Sequence, residues 1–247
     1  RERAYRTHAI VMRARNLGEA DKIFTLFTQE RGKIDAVAKG VRRAKSQLAG
    51  RLEFVTEVAL MLHRGRTLDV ITGAEIERAS WTSIVDPAAF GTAHVIVELV
   101  DAFCEIDLAM PEIYTLLRGA LTALAATNDP TSLVPRFQLR LLGALGYAPA
   151  ADDCVRCGAS LGNAPAWAEL EAGGLACERC RSRDADGLPL GAADVVNFQG
   201  LAAGRRGPVR AVTMASPAAA RAIAAFITWH LGKRTKSGRF LDDLARA

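Results

Sequence analysis

The first 80 residues place apolar side chains in short runs broken by glycine, with local alternation of apolar and polar positions, which is the signature of strands. Five such runs are predicted, over residues 7–14, 22–28, 33–39, 54–63 and 68–76, rich in Val, Ile, Phe and Thr. Gly18, Gly32, Gly40, Gly50 and Gly65 fall between them, and Gln29 to Gly32 and His63 to Arg66 read as hairpin loops. Five strands in so short a segment imply a small closed barrel. Among such barrels the Greek-key oligonucleotide-binding fold is the common one with a basic surface.

Beyond Pro87 the period changes from two to three-and-four. Val95, Leu99, Ala102, Phe103 and Ile106 form one helical stripe, and Ile113, Leu116, Leu117, Ala120, Leu121 and Leu124 form another. Pro111 suits the first turn of the second helix, and Asn128-Asp129-Pro130 ends it. Further helices are predicted over 133–145, 191–203 and 217–232, with a last one from about Gly238. The predicted class is therefore α+β and multidomain: a barrel over 1–80, a helical domain over 81–150 and 187–247, and a cysteine module over 151–186 inserted into it.

That module carries the most specific chemistry. Cys154-Val155-Arg156-Cys157 and Cys177-Glu178-Arg179-Cys180 are separated by residues 158–176, a spacing that suits four thiolates on one zinc ion. Two tight knuckles complete a tetrahedron with no open position, so the ion is structural. Gly158 and Gly173-Gly174 sit where the backbone must bend. A redox-active C-x-x-C competes, but it calls for a strand before it and a helix N-terminus behind it; Asp152-Asp153 precede the first pair, and the second runs into a charged loop. Structural disulfides are disfavoured because nothing suggests secretion. Cys104, beside Phe103 and Ile106, reads as a small buried hydrophobe.

Net charge adds a second feature. The formal +5 is unevenly spread: residues 1–80 hold 16 Lys/Arg against 10 Asp/Glu, 81–150 hold 3 against 7, 151–182 hold 3 against 5, and 183–247 hold 10 against 5. A polyanion would meet the basic ends and be repelled by the acidic middle. Between Asp35 and Glu53 there is no acid, while Lys39, Arg42, Arg43, Lys45 and Arg51 crowd together with Gly40, Ser46 and Gly50. A solvated loop would explain the run alone; its place between the third and fourth strands of a basic barrel favours phosphate oxygens as partner. The barrel segment offers only Tyr5, Phe24, Phe27 and Phe54 as rings, with Tyr5 the candidate exposed stacker and one of Phe24 and Phe27 in the core. Electrostatics should then outweigh stacking, giving weak sequence preference and tolerance of single- and double-stranded DNA.

No catalytic pattern competes. His8, His63, His94 and His230 show no metalloprotease spacing, and neither a phosphate-binding P-loop nor a nucleophile elbow is present. Asp152-Asp153 and Asp242-Asp243 read as surface pairs. No run reaches the length of a membrane helix and no charged-then-apolar leader opens the chain, so a cytoplasmic protein is expected; the first residue is Arg1 rather than Met, which leaves room for residues upstream.

Leu17-Gly18-Glu19-Ala20-Asp21-Lys22, Phe27-Thr28, Gly32-Lys33 and Ala36 to Arg43 together resemble the N-terminal barrel of the RecO recombination mediators of bacteria. The likeness continues through Arg136-Phe137-Gln138-Leu139-Arg140-Leu141-Leu142-Gly143, Leu145-Gly146-Tyr147 and Lys236-Ser237, and so covers nearly the whole chain in order. The resemblance implies an oligonucleotide-binding barrel, a helical domain with a zinc module and no enzymatic turnover. It implies binding to DNA, annealing of strands coated by the single-stranded-DNA-binding protein, and loading of RecA with the help of RecR, in association with the nucleoid. It also implies that Arg136 receives the acidic C-terminal tail of the single-stranded-DNA-binding protein; helical spacing suits this by putting Arg140 one turn on and Leu139 and Leu142 where they would flank a pocket for an apolar tail residue, while two surface arginines balancing Glu98 or Asp101 are the plainer reading. An adaptor of replication or transcription, stabilised by zinc and binding only proteins, is the alternative function, and strand annealing separates the two.

Overall fold

The computed structural model describes residues 3–79, 86–181, 187–203 and 214–238. The chain forms two compact units, Arg1–Thr127 and Asn128–Ala247.

In the first unit β1 (Ala4–Leu17), β2 (Asp21–Thr28), β3 (Gly32–Ala38), β4 (Thr56–His63) and β5 (Asp69–Ala79) pair in the order β1-β2-β3-β5-β4, and β4 returns to β1. All neighbours are antiparallel except β3 and β5, which run parallel through Ala36 opposite Asp69 and Val37 opposite Val70. Alternation sets what faces inward: Ala9 and Val11, Phe24 and Leu26, Ile34 and Ala36, Val58 and Leu60 fill the barrel. Each large apolar side chain so buried contributes roughly 1.5–3 kcal/mol.

The outward positions of the same strands are also apolar. Ile10 and Met12 on β1, and Ile23 and Phe27 on β2, are buried although they point away from the barrel interior. Both Phe24 and Phe27 are therefore core, on opposite faces. Two helices supply the second layer, α1 (Pro87–Phe103) and α2 (Pro111–Ala126). Asp86 caps α1 by accepting from the Ala89 N–H at 3.0 Å, with Pro87 at the first helical position. Lys33 on β3 reaches the Asp101 carboxylate at 3.1 Å and its carbonyl at 2.6 Å, which anchors the end of α1 on the sheet. Glu57 on β4, buried, meets Arg118 of α2 at 2.5 Å and Arg78 at 3.7 Å. Helix α1 ends three residues before Ile106, which is exposed; Cys104 forms its C-cap and is buried, and desolvation pushes its thiol up to about 11. It behaves as a small hydrophobe.

The second unit holds α3 (Leu133–Ala144), a three-stranded sheet of β6 (Ala166–Glu169), β7 (Gly174–Cys177) and β8 (Leu188–Leu190) in the order β7-β6-β8, then α4 (Ala192–Ala203) and α5 (Pro217–Leu231). The helices before and after the cysteine module, α3 on one side and α4 and α5 on the other, pack on one another around Leu139, Leu142, Phe198, Ile223 and Phe226, all buried. Ser216 caps α5 through the Ala219 N–H at 3.2 Å and donates to Asp194 at 2.6 Å. The helix expected from about Gly238, and Asp242-Asp243, lie outside the described residues.

Candidate nucleic-acid interface and metal centre

The basic run occupies the β3–β4 connection, whose only regular structure is a 3-10 turn, Ala49–Arg51. Backbone bonds fix it to the β1–β2 turn: the Arg42 N–H donates to the Ala20 carbonyl at 3.0 Å and the Gly40 N–H to the Asp21 carboxylate at 2.7 Å. Lys39, Arg42, Arg43, Lys45 and Arg51 are all exposed. Among the described residues none of the five has an acidic partner within ion-pair distance. Arg42 donates to the Gly18 carbonyl at 3.1 Å and Arg51 to the Ala74 carbonyl at 2.8 Å. Carbonyls orient a guanidinium without cancelling its charge, so the loop keeps its full field. The two bonds also aim the arginines at different places, Arg42 toward the β1–β2 turn and Arg51 toward β5.

Tyr5 is not the free stacking ring expected of it. Its hydroxyl accepts from Arg31 at 2.6 Å and bonds Asp69, and its ring lies between the Arg31 and Arg64 guanidiniums, 5.5 and 5.0 Å from their carbons. Burial and the bond to Asp69 push its hydroxyl up to about 12. The cause is cross-strand proximity: β1, the β2–β3 hairpin and the β4–β5 hairpin converge there, which spacing along the chain does not reveal. Phe54 likewise stacks on His94, 4.2 Å between centroids, with Phe90 edge-on at 6.1 Å. Phe90 and His94 stand one helical turn apart and so share a face of α1.

Arg136 and Arg140 lie one turn apart on α3 and are half-buried. Burial, with Arg136 beside it, lowers the Arg140 guanidinium below its usual value. Leu139 and Leu142, expected to flank a tail pocket, are 0% exposed and belong to the core; the helix periodicity that puts them one turn apart also turns them inward. Asp101, the proposed balancing acid, is already engaged by Lys33 and by Arg13 at 3.5 Å.

The four cysteines converge. The sulfurs of Cys154, Cys157, Cys177 and Cys180 all lie within 4.8 Å of one another, and Cys157 Sγ is 3.9 Å from Cys177 Sγ. A tetrahedron with zinc–sulfur bonds of the usual length has sulfurs about 3.8 Å apart, so the set fits a metal ion. Each knuckle closes on itself, Gly158 N–H to the Cys154 carbonyl at 2.9 Å and Cys180 N–H to the Cys177 carbonyl at 3.0 Å. The Cys177 N–H donates to Cys154 Sγ at 3.3 Å. Burial opposes ionisation of Cys154, but this and other backbone N–H groups outweigh it and bring the thiol down to about 6. Hydrogen bonds from Cys180 to Cys157 and Cys177 push its own thiol up to about 12. A divalent cation is what would hold four thiolates together in one cluster.

Arg156 in the first knuckle and Arg181 just after the second make contacts within the module. Arg156 pairs with the buried Glu169 at 2.6 Å, and Arg181 lies 4.7 Å above the Trp167 ring. Gly174 faces the first knuckle so closely that a Cβ there would come within 2.5 Å of the Ala150 carbonyl and of Val155. The sheet behind the knuckles was not legible in the sequence, because four-residue strands are too short to show a period.

Two family models match the chain, "Recombination protein O N terminal" over residues 3–79 and "Recombination protein O C terminal" over residues 85–239. Curated relatives named DNA repair protein RecO include one from Bifidobacterium longum subsp. infantis, 41% identical over 73% of this chain and 76% of its own. Another, from a Nocardioides species, is 36% identical over 96% of this chain and 99% of its own.

Proposed function

We propose, on the premise that the chain belongs to the RecO family, that it is a DNA-binding mediator of recombinational repair. It anneals complementary strands and, with RecR, helps load RecA on single-stranded DNA covered by the single-stranded-DNA-binding protein. It acts by binding, not turnover, and works at the nucleoid in the cytoplasm; no helix among the described residues is long and apolar enough to cross a membrane.

The observation that carries the reading is the β3–β4 loop, five exposed cations with no acidic partner among the described residues, on an oligonucleotide-binding barrel. The outer face of β2 and β3, where such barrels commonly take their ligand, carries buried Phe27 and tied Lys33. Phosphates are therefore met by Lys39, Arg42, Arg43, Lys45 and Arg51. Arg136 and Arg140 take the acidic tail of the single-stranded-DNA-binding protein, which the cationic pairing on α3 supports. Zinc is the ion suited to the four thiolates: it secures the knuckles against the β6–β7 hairpin and supplies no reaction.

The test is strand annealing of complementary oligonucleotides, naked and coated with the single-stranded-DNA-binding protein. Acceleration of both is expected. No acceleration of either, with partner binding intact, would identify an adaptor instead.

A further inference from the structure

In the second unit α3 and α5 end side by side. Helix α5 terminates on Gly232, whose φ of 68° only glycine adopts freely, and α3 is followed by Gly146 at φ 83°. The residues at these exits carry rings. Tyr147 stacks on His230, 4.4 Å between centroids and 20° between planes, and Trp229 precedes His230 in the last turn of α5. Tyr147 is 49% exposed and Trp229 51%. These rings offer flat apolar faces to solvent at the exits of both helices.

Charge says what they face. From residue 195 to residue 241 the chain contains no Asp or Glu and eight Lys or Arg. Asp194, the last acid before this run, accepts from Ser216 and from the Gly191 N–H at the start of α4. Lys233 and Arg234 follow Gly232 directly, and Lys236 lies two residues on; Lys233 is exposed. Basic residues after a helix C-terminus also offset its dipole, but that role needs no rings. Burial lowers the His230 imidazole below its usual value, so at neutral pH it stacks as a neutral ring.

We infer that Tyr147, Trp229 and His230, flanked by Lys233, form a second nucleic-acid site, a platform on which the bases of a single strand stack. This rests on the DNA-binding reading above and adds to it a contact on the other unit. Stacking requires unpaired bases, so the platform prefers single strands, whereas the loop's charges accept either form. A protein that pairs two strands gains from one surface that holds phosphates and another that splays bases.

The experiment titrates the full chain with labelled oligo(dT) and with a duplex of equal length. Tyr147→Leu with Trp229→Leu is expected to weaken oligo(dT) binding about tenfold and leave duplex binding within about twofold. Lys233→Glu weakens both. Arg42→Glu with Arg43→Glu is the control for the loop. If the loop variant loses DNA while the ring variant binds oligo(dT) like wild type, the platform is refuted and the DNA-binding reading stands; if wild type binds neither probe, both fall. Equal losses for oligo(dT) and duplex in the ring variant also refute stacking. A readout independent of those substitutions is Trp229 fluorescence in a chain carrying Trp81→Phe and Trp167→Phe, where oligo(dT) should quench the emission and no quenching would overturn the inference.

Discussion

Replacing Arg42, Arg43 and Lys45 by alanine removes three of the five loop cations without touching a buried group, because all three side chains are exposed. Each cation that neutralises a phosphate on duplex DNA adds about 0.9 to the slope of log affinity against log salt. Five contacts then give a slope near −4.5, and a fourfold rise in salt weakens binding by roughly 500-fold. With Lys39 and Arg51 alone the slope falls to about −1.8 and the same rise costs about 12-fold. The bond from Arg42 to the Gly18 carbonyl is exposed and its loss is worth at most about 1 kcal/mol, so stability should barely change. Gel-shift or anisotropy titration across salt reads the slope directly, and several sequences should give the same result because phosphate contacts carry no base information. A triple variant with the wild-type slope would show that the run is a solvated loop and that phosphates bind elsewhere.

Four further outcomes are expected. Cys157→Ser should abolish stoichiometric zinc and unfold the cysteine module while the barrel keeps its own thermal transition, read by metal analysis and calorimetry. Arg118→Ala should cost about 1–3 kcal/mol in denaturant unfolding, because Glu57 stays buried with only Arg78 at 3.7 Å, while Glu57→Gln with Arg118→Ala should recover part of the loss. Arg136→Ala should weaken a peptide of the acidic tail about tenfold or more in calorimetry and leave binding of bare DNA unchanged. Glu77 raises the His8 pKa, so the pair's contribution to stability is fully present below about 6.5 and fades as pH rises through the higher folded value; the difference in stability between wild type and His8→Gln should shrink accordingly between acidic and alkaline pH.

The barrel was legible because short apolar runs are broken by turns that carry glycine. The helices were legible to within a few residues, and α1 stops although its stripe continues: Ile106 keeps the spacing yet stands exposed beyond Cys104, held by a bridge to Lys33. What sequence spacing cannot show is which face a second layer covers. Phe27 reads as half of an alternating pair, yet it is fully buried on the face opposite Phe24. The same gap explains Tyr5, whose partners Arg31, Arg64 and Asp69 come from hairpins far along the chain. It also explains Leu139 and Leu142, placed beside Arg136 by helical spacing but turned into the helix packing.

The covered sheet face has a consequence for how charge is used. Arg13 and Lys33 lie on the outer surface of β1 and β3, where a strand-binding barrel would spend them on phosphate, and both are held by Asp101 at the end of α1. Arg15 is held by Asp35, and Arg31 by Asp69 and Asp107. The acids that hold these cations lie on the sheet and at or just after the end of α1, while the β3–β4 connection has no acid before Glu53. Pairing the sheet cations stabilises the dock of α1 and at the same time removes them as competitors for DNA. Removing Asp101 should therefore do two things that a purely structural pair would not: loosen α1 on the barrel and release two cations that raise the salt slope for duplex binding toward that of a larger phosphate footprint.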